Sequence, residues 1–245
     1  MLHVDGTSLA VKDKDSPKGI VVGALWGYVG DTDTAVFLYT STGKKLGQQP
    51  GEIGPEQFLA ARKGPIVADA ANLFDKTFQS ADRFEVGCNM HSRRYFVRAL
   101  DANDLRAAVP IAAFKALYDV EDTARDMEPD GRLAERQARS KPVYDELLKW
   151  CRKHYPSEPP STQLAKAIKY VLNQEVALTR FLDDGRLPID NGIVEPNSIA
   201  SRRGTRARQL VAEDQKTKRS GKPRASRDPG SRLLKNFSGH TSEFL

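Results

Sequence analysis

Three carboxylates in the 245-residue chain stand where acidic side chains can do chemistry. Asp5 lies within an apolar segment that is typical of a strand, and Asp69 ends a short apolar run at residues 66–68. Glu195 lies on the first turn of a predicted helix capped by residues 190–191. Carboxylates that converge from two strands and a helix can hold two hard cations such as Mg²⁺ or Mn²⁺. Two such ions about 4 Å apart activate an attacking water or hydroxyl and stabilise the leaving oxygen in phosphoryl transfer.

Each of these carboxylates also has a structural interpretation. Asp5 and Asp69 can be turn or strand-end residues, and Glu195 can be a solvated helix residue. Spacing along the chain does not establish that the three side chains meet. A pair of acids could instead serve a glycoside hydrolase, which needs no metal ion, so metal dependence of the activity would separate these interpretations.

The composition is that of a folded protein without a membrane segment. The hydrophobic fraction is 39% and the charged fraction 29%, which is too apolar for disorder throughout the chain. No apolar run approaches the roughly 20 residues that span a bilayer, and the first residues lack the basic-then-apolar build of a signal peptide. Cys88 and Cys151 provide no disulfide framework, so we expect a cytoplasmic protein.

The net charge of +6 is concentrated at the C-terminal end. Residues 201–245 contain 12 Lys and Arg against 4 Asp and Glu, whereas residues 1–200 contain 26 against 28. Residues 201–245 are rich in Gly, Pro and Ser and lack apolar periodicity, which predicts a disordered basic tail. Such a tail would attract phosphate backbones in a salt-dependent way. Out-of-frame translation of GC-rich DNA would produce a similar composition.

The remaining sequence predicts a mixed α/β sheet accompanied by helices. Predicted strands cover residues 2–11, 21–30, 34–41, 66–68 and 83–88, and turn sequences join the first three into an antiparallel meander. A short helix is predicted at residues 55–63. From residue 103 to 185 apolar residues recur in stripes at helical spacing. Pro110 can open a helix with Tyr118 on its buried face, and Pro142 interrupts or starts another. A third helix is predicted to be capped by Ser161 and ended by Gly185.

Five short blocks in this order resemble one known family. They are HVDGT, GPIVADA, GCNMHSRRYF, LTRFLDDGRLPIDN and VEP. Together they resemble the catalytic domain of insertion sequence 66-type transposases, which are DDE transposases. The resemblance implies a ribonuclease-H-like α/β core at residues 1–101 and 186–200, interrupted by an all-helical insertion at residues 102–185. The disordered basic tail at residues 201–245 lies beyond this core.

The resemblance maps the acid triad onto Asp5, Asp69 and Glu195, with Mg²⁺ or Mn²⁺ as the cofactor. It implies cleavage at transposon ends and strand transfer into target DNA. A homo-oligomer acting at the nucleoid in the bacterial cytoplasm is the expected setting. Arg93 and Arg94, in the third block, are candidate phosphate contacts, and a solvated helix face is the alternative interpretation.

Cys88 and His91, in the same block, have the Cys-x-x-His spacing of half a zinc site. Cys151 and His154 repeat this spacing on a predicted helix surface. Four ligands from the two pairs would make a zinc site. We prefer the interpretation that Cys88 and His91 pack within the domain or contact the acid site.

Three features depart from the family. Gly6 follows the first acid where the family usually has glutamate, and the N-terminal region that recognises transposon ends does not precede Asp5. Pro196 follows Glu195, which beyond a first helical turn costs about 3 kcal/mol. We expect the similarity to the family to end near Glu195, as it would after a shift in the reading frame. These features predict a truncated or inactive copy, and the alternative is a non-catalytic nucleic-acid-binding remnant.

Overall fold

The structure, a computed structural model, describes residues 1–14, 16–30, 35–40, 53–69 and 77–194. The strands are β1 (Leu2–Lys12), β2 (Ile20–Gly30), β3 (Ala35–Thr40), β4 (Gly64–Ala68) and β5 (Arg83–Gly87). The helices are α1 (Pro55–Phe58), α2 (Asn89–Asp101), α3 (Ala108–Thr123), α4 (Pro129–Glu135), α5 (Lys141–His154), α6 (Gln163–Asn173) and α7 (Glu175–Thr179). No helix among the described residues is long and apolar enough to cross a membrane.

The strands form a five-stranded mixed sheet in the order β3-β2-β1-β4-β5. β1 and β2 pair antiparallel from Leu2 opposite Gly30 to Lys12 opposite Ile20. β3 continues the antiparallel pairing on the other edge of β2, with Ala24 opposite Thr40. The predicted meander and the mixed α/β class are therefore confirmed, because short turn-rich links leave adjacent strands no other pairing.

The chain divides into two compact units. Among the described residues, the meander unit comprises residues 2–14, 16–30, 35–40, 53–64, 79–83 and 193–194, and the helical unit comprises Met1 and residues 65–69, 77–78 and 84–192. The domain boundaries predicted at residues 101, 185 and 200 remain predictions, and the predicted tail at residues 201–245 lies outside the described residues.

The meander unit has a small core in which large side chains of β2 are central. Trp26 is 2% exposed, and its indole Nε1–H donates to the Thr40 hydroxyl at 3.2 Å. The Tyr28 ring packs against Phe58 with centroids 4.2 Å apart. The single-turn α1 therefore covers the sheet with an aromatic side chain, although it ends at Phe58 rather than near residue 63 as predicted.

The helical unit contains the larger core, which the predicted helical stripes supply. Its buried members are Val67, Val86, Phe96, Ala99, Ala107, Phe114, Leu117, Tyr144, Leu147, Leu148, Cys151, Leu164, Ala167, Ile168, Val171, Leu178, Phe181, Leu182, Leu187 and Ile189. Two predicted boundaries are wrong. Thr162, rather than Ser161, caps α6 by accepting the Ala165 N–H, and the helix stops at Asn173 instead of running toward Gly185.

A buried arginine fastens the helices to the chain that follows them. Arg136 is 1% exposed and donates to both carboxylate oxygens of Glu121 at 2.7 and 2.6 Å. It also donates to the backbone oxygens of Phe181, Asp184 and Leu187 at 2.9, 3.2 and 2.8 Å. These acceptors satisfy the guanidinium N–H groups and compensate for its burial inside the core.

Removing the counter-charge of Arg136 is expected to destabilise the helical unit strongly. The variant Glu121→Ala leaves a buried cation unpaired, so the free energy of unfolding should fall by about 3–5 kcal/mol. Glu135→Ala is the matched control, because Glu135 pairs with Arg139 on the surface and should contribute less than about 1 kcal/mol. Chemical denaturation measures both, and equal losses would contradict this account of Arg136.

Candidate functional site

Asp5 lies in β1 opposite Gly27 of β2, so antiparallel pairing fixes its backbone. The residue is 8% exposed, and its Oδ1 accepts the N–H of Gly6 at 2.8 Å. A carboxylate in this setting is anchored to the strand and largely withdrawn from bulk water. The sheet therefore holds the carboxylate of the first predicted acid in a fixed, buried position, where its oxygens could serve as metal ligands.

The glycine that follows Asp5 fits a particular neighbour. A Cβ at Gly6 would lie 2.3 Å from Cζ3 of Trp26 and 2.7 Å from its Cε3. Trp26 cannot move easily, since it is buried and its indole nitrogen is hydrogen-bonded. A side chain at position 6, such as the glutamate that the resemblance leads us to expect, would therefore require Trp26 to shift.

Asp69 is the first residue after β4, whose last three residues are fully buried. The hydroxyl of Tyr170, on α6, donates to the backbone oxygen of Asp69 at 2.9 Å. Burial raises the pKa of Tyr170, so the phenol keeps its proton and remains a donor. A helix of the predicted insertion thus fixes the backbone where the second acid leaves its strand.

Glu195 lies outside the described residues, and the chain just before it is held by a buried amide. Asn89 is fully buried, and its Nδ2 donates to the backbone oxygens of Leu178 and Ile189 at 3.0 and 3.1 Å. Its Oδ1 accepts the hydroxyl of Tyr144 at 2.9 Å. One side chain at the start of α2 thereby joins α5, α7 and the segment that leads toward Glu195.

The turn after Ile189 is held by side chains as well. Asp190 accepts the Gly192 N–H on Oδ1 at 2.8 Å and the Tyr118 hydroxyl on Oδ2 at 2.7 Å. Cys88 Sγ accepts the Asn191 N–H at 3.3 Å. Asp190 thus closes an Asx turn. Residues 192–194 form a turn rather than the start of the helix that we expected Asp190 to cap, and the rest of that predicted helix lies outside the described residues.

The two candidate phosphate contacts lie on α2 in different surroundings. Arg93 is exposed, and Arg94 is half-buried with its Nη2 3.3 Å from the Met90 sulfur. Burial and the adjacent Asp190 raise the pKa of Tyr118, and Arg93 opposes this rise. Phosphate binding by either arginine remains a prediction.

The two cysteines of the zinc interpretation are both buried, so the prediction that Cys151 lies on a helix surface is wrong. Burial raises the pKa of the Cys88 thiol and of the Cys151 thiol to about 12. The Cys88 sulfur accepts a backbone hydrogen bond within the packed turn, and Cys151 belongs to the apolar core of the helices. These observations favour the packing interpretation.

The convergence of the acid triad remains a prediction. Asp5 belongs to the meander unit and Asp69 to the helical unit, and Glu195 is not described. Within residues 1–14, 16–30, 35–40, 53–69 and 77–194, no three His, Cys, Asp or Glu side chains are grouped so that they could hold a metal ion.

Sequence reasoning did not identify Asn89, Tyr118 or Tyr170 as residues that support the site. Tyr118 was expected on a buried helical face, which describes its ring but not its hydroxyl. The polar partners lie 72 residues away for Tyr118 and 101 residues away for Tyr170. The sequence offered one signal for Asn89, which is its position directly after a predicted strand. A side-chain amide buried at such a position must find partners for its donors and its acceptor.

Loss of the Tyr170 hydroxyl is expected to loosen the end of β4. Tyr170→Phe removes one hydrogen bond and should lower the free energy of unfolding by about 0.5–1.5 kcal/mol. Amide hydrogen exchange in a peptide covering residues 64–69 should become faster at the same time. Tyr155→Phe is the control, since Tyr155 is exposed and its hydroxyl has no partner among the described residues. Unchanged exchange in Tyr170→Phe would contradict the anchoring role.

Three curated relatives resemble parts of this chain, and all come from Sinorhizobium fredii. Uncharacterized protein y4hP is 25% identical over an alignment of 217 positions, and this alignment covers 79% of this chain and 38% of the relative. Uncharacterized protein y4qI is 34% identical over 51% of this chain and 23% of its own length. Uncharacterized protein y4jD is 35% identical over 44% of this chain and 21% of its own length. The chain therefore spans well under half the length of these relatives.

No solved structure gives a significant match to the chain. The sequence model of the transposase IS66 family matches residues 1–216 of the chain. The match continues past Pro196, so the prediction that the similarity to the family ends near Glu195 is wrong. Since the match covers most of the 245 residues, the chain belongs to the IS66 family of transposases.

Proposed function

We propose that this chain is the catalytic part of a DDE transposase, which cleaves and joins DNA at transposon ends and in the target by phosphoryl transfer. The observation that carries the proposal is the family match over residues 1–216. Asp5 and Asp69, the first two proposed acids, both lie within it. Action as a homo-oligomer in the bacterial cytoplasm belongs to the same proposal.

A ribonuclease-H-like core with a helical insertion is the fold proposed with this function. An antiparallel meander, followed by two further strands of the same mixed sheet and then by helices, supports it. The helices from α3 to α7 would form the insertion, and the core would resume after residue 185. Domain boundaries at residues 101, 185 and 200 are part of the proposal.

The donor chemistry fits divalent cations. Asp5 presents a buried carboxylate anchored in a strand, and Asp69 presents one directly after a strand. Carboxylate oxygens are the ligands that Mg²⁺ and Mn²⁺ prefer. Asp5, Asp69 and Glu195 would hold the ions. The chemistry supplied by bound ions is activation of the attacking hydroxyl and stabilisation of the leaving oxygen.

The protein contributes positioning and charge. Antiparallel pairing holds Asp5, the Tyr170 hydroxyl holds the backbone of Asp69, and Asn89 holds the chain that leads to Glu195. Arg93 and Arg94 would neutralise phosphate charge on the DNA. Phosphoryl transfer depends mainly on such positioning and electrostatic stabilisation, because the protein forms no covalent bond to the substrate.

Removal of one carboxylate charge should abolish the proposed reaction. Asp69→Asn is expected to reduce Mn²⁺-dependent nicking of supercoiled plasmid by at least about 100-fold, because a metal ligand loses its charge. Asp82→Asn is the matched control: Asp82 is exposed beside Lys63, and its variant should nick at the wild-type rate. Nicking by Asp69→Asn at the wild-type rate would overturn the role of Asp69.

The second candidate function is a nucleic-acid-binding protein without cleavage activity. Pro196, directly after Glu195, favours it because proline disrupts a helix beyond its first turn. Binding of plasmid DNA by this chain without nicking in either Mg²⁺ or Mn²⁺ would support this candidate. Metal-dependent nicking that is lost in Asp69→Asn would exclude it.

A further inference from the structure

The surface shared by α2 and α6 carries an unusual charge pattern. Arg94 and Arg98 lie on α2, Lys166 and Lys169 lie on α6, and all but the half-buried Arg94 are exposed. The only acidic residue in the two helices is Asp101, at the last position of α2. We call Arg98, Lys166 and Lys169 the α2–α6 cationic face.

Apart from Arg93 and Lys153, the other exposed cations of the helical unit form ion pairs within the protein. Those that form ion pairs with Asp or Glu are Arg106, Lys115, Arg125, Arg139, Lys141, Lys149, Arg152 and Arg186. By contrast, Arg98, Lys166 and Lys169 form no ion pair with any residue that the structure describes. Their charges are therefore available to an external anion.

A pair of tyrosines links this face to Asp69. The guanidinium of Arg98 lies over the ring of Tyr95, 5.3 Å from its centroid. The Tyr95 ring packs against Tyr170 with centroids 4.7 Å apart, and the Tyr170 hydroxyl donates to the Asp69 backbone oxygen. Lys166 lies one helical turn before Tyr170, so the two are neighbours on α6.

Rigid aromatic contacts make Arg98 suitable for holding a phosphate. Stacking on Tyr95 restricts the guanidinium while it leaves N–H groups to donate. Lys166, which extends from the other helix, adds a second positive charge beside the same tyrosine pair. A polyanionic strand passing over this face would run beside the end of β4.

We propose that the α2–α6 cationic face binds the phosphate backbone of DNA and leads the strand to Asp69. The choice of DNA as the polyanion rests on the proposed function. The charge complementarity and the contacts from Arg98 through Tyr95 and Tyr170 to Asp69 carry the placement. The helical segment between the second and third acids thereby supplies part of the substrate track through Lys166 and Lys169.

The test compares two charge-matched double variants of the full chain. Arg98→Gln/Lys166→Gln removes two cations of the face, and Lys115→Gln/Lys149→Gln removes two cations that are ion-paired elsewhere. Fluorescence anisotropy with a labelled DNA duplex in EDTA measures Kd from about 50 to about 200 mM salt. The C-terminal residues are present in both variants, so their contribution to binding cancels.

Arg98→Gln/Lys166→Gln should weaken binding about five- to tenfold at low salt and reduce the slope of log Kd against log salt by about 2. The control pair should change Kd less than about twofold, and Arg98→Lys/Lys166→Arg should restore most of the affinity because the charges return. Thermal unfolding of all variants at the wild-type midpoint would show that folding is intact.

Two results separate this inference from the proposed function. Equal Kd values and salt slopes for the two Gln double variants would overturn the cationic face as a DNA site, whatever the nicking result. Weakened binding in Arg98→Gln/Lys166→Gln, together with undiminished nicking by Asp69→Asn, would overturn the proposed catalytic role and leave the binding face supported. Absence of DNA binding by the wild type at low salt would overturn both.

Discussion

The return of the chain from the helices depends on two buried polar side chains. The side chains of Arg136 and Asn89 are buried away from water. Backbone oxygens around them must therefore accept the hydrogen bonds that their N–H groups donate. Those oxygens belong mainly to residues 178–189, which have little regular secondary structure beyond α7. Irregular backbone inside a protein needs such partners. The position of the chain before Glu195 is therefore set by side chains from α2 and from the π-helical segment Arg136–Ser140 that follows α4.

The proposed acids depend on backbone anchoring of different kinds. Asp5 is held by the ladder between β1 and β2, which is local and repetitive. Asp69 follows the last buried residue of β4, and its own carbonyl is held by Tyr170 from a distant helix. The first arrangement tolerates changes elsewhere in the chain. The second makes the geometry of Asp69 dependent on how α6 packs against α2.

Charge is divided between structure and surface in the helical unit. Arg136 and Glu121 form a buried ion pair. Loss of either partner leaves the other charge buried and unpaired, which strongly lowers the free energy of unfolding. The ion pairs on exposed helix surfaces contribute little to stability. The α2–α6 cationic face has neither role inside the protein, and it lies beside the tyrosine that anchors Asp69. This distribution links the packing of the helices to the proposed path of DNA.

The sequence by itself determined the mixed α/β class, the meander and the family. Alternation and turn residues act locally, so β1 to β3 follow from the chain within a residue or two. Helix ends were less predictable, since Thr162 and Ser161 are equivalent as caps until packing selects one. Only the tertiary structure decided that Tyr170 holds Asp69, that Asn89 holds Ile189, and that Trp26 excludes a side chain at Gly6. These contacts join residues far apart in the chain, and a periodic pattern marks a side chain as buried without revealing which distant polar group it meets.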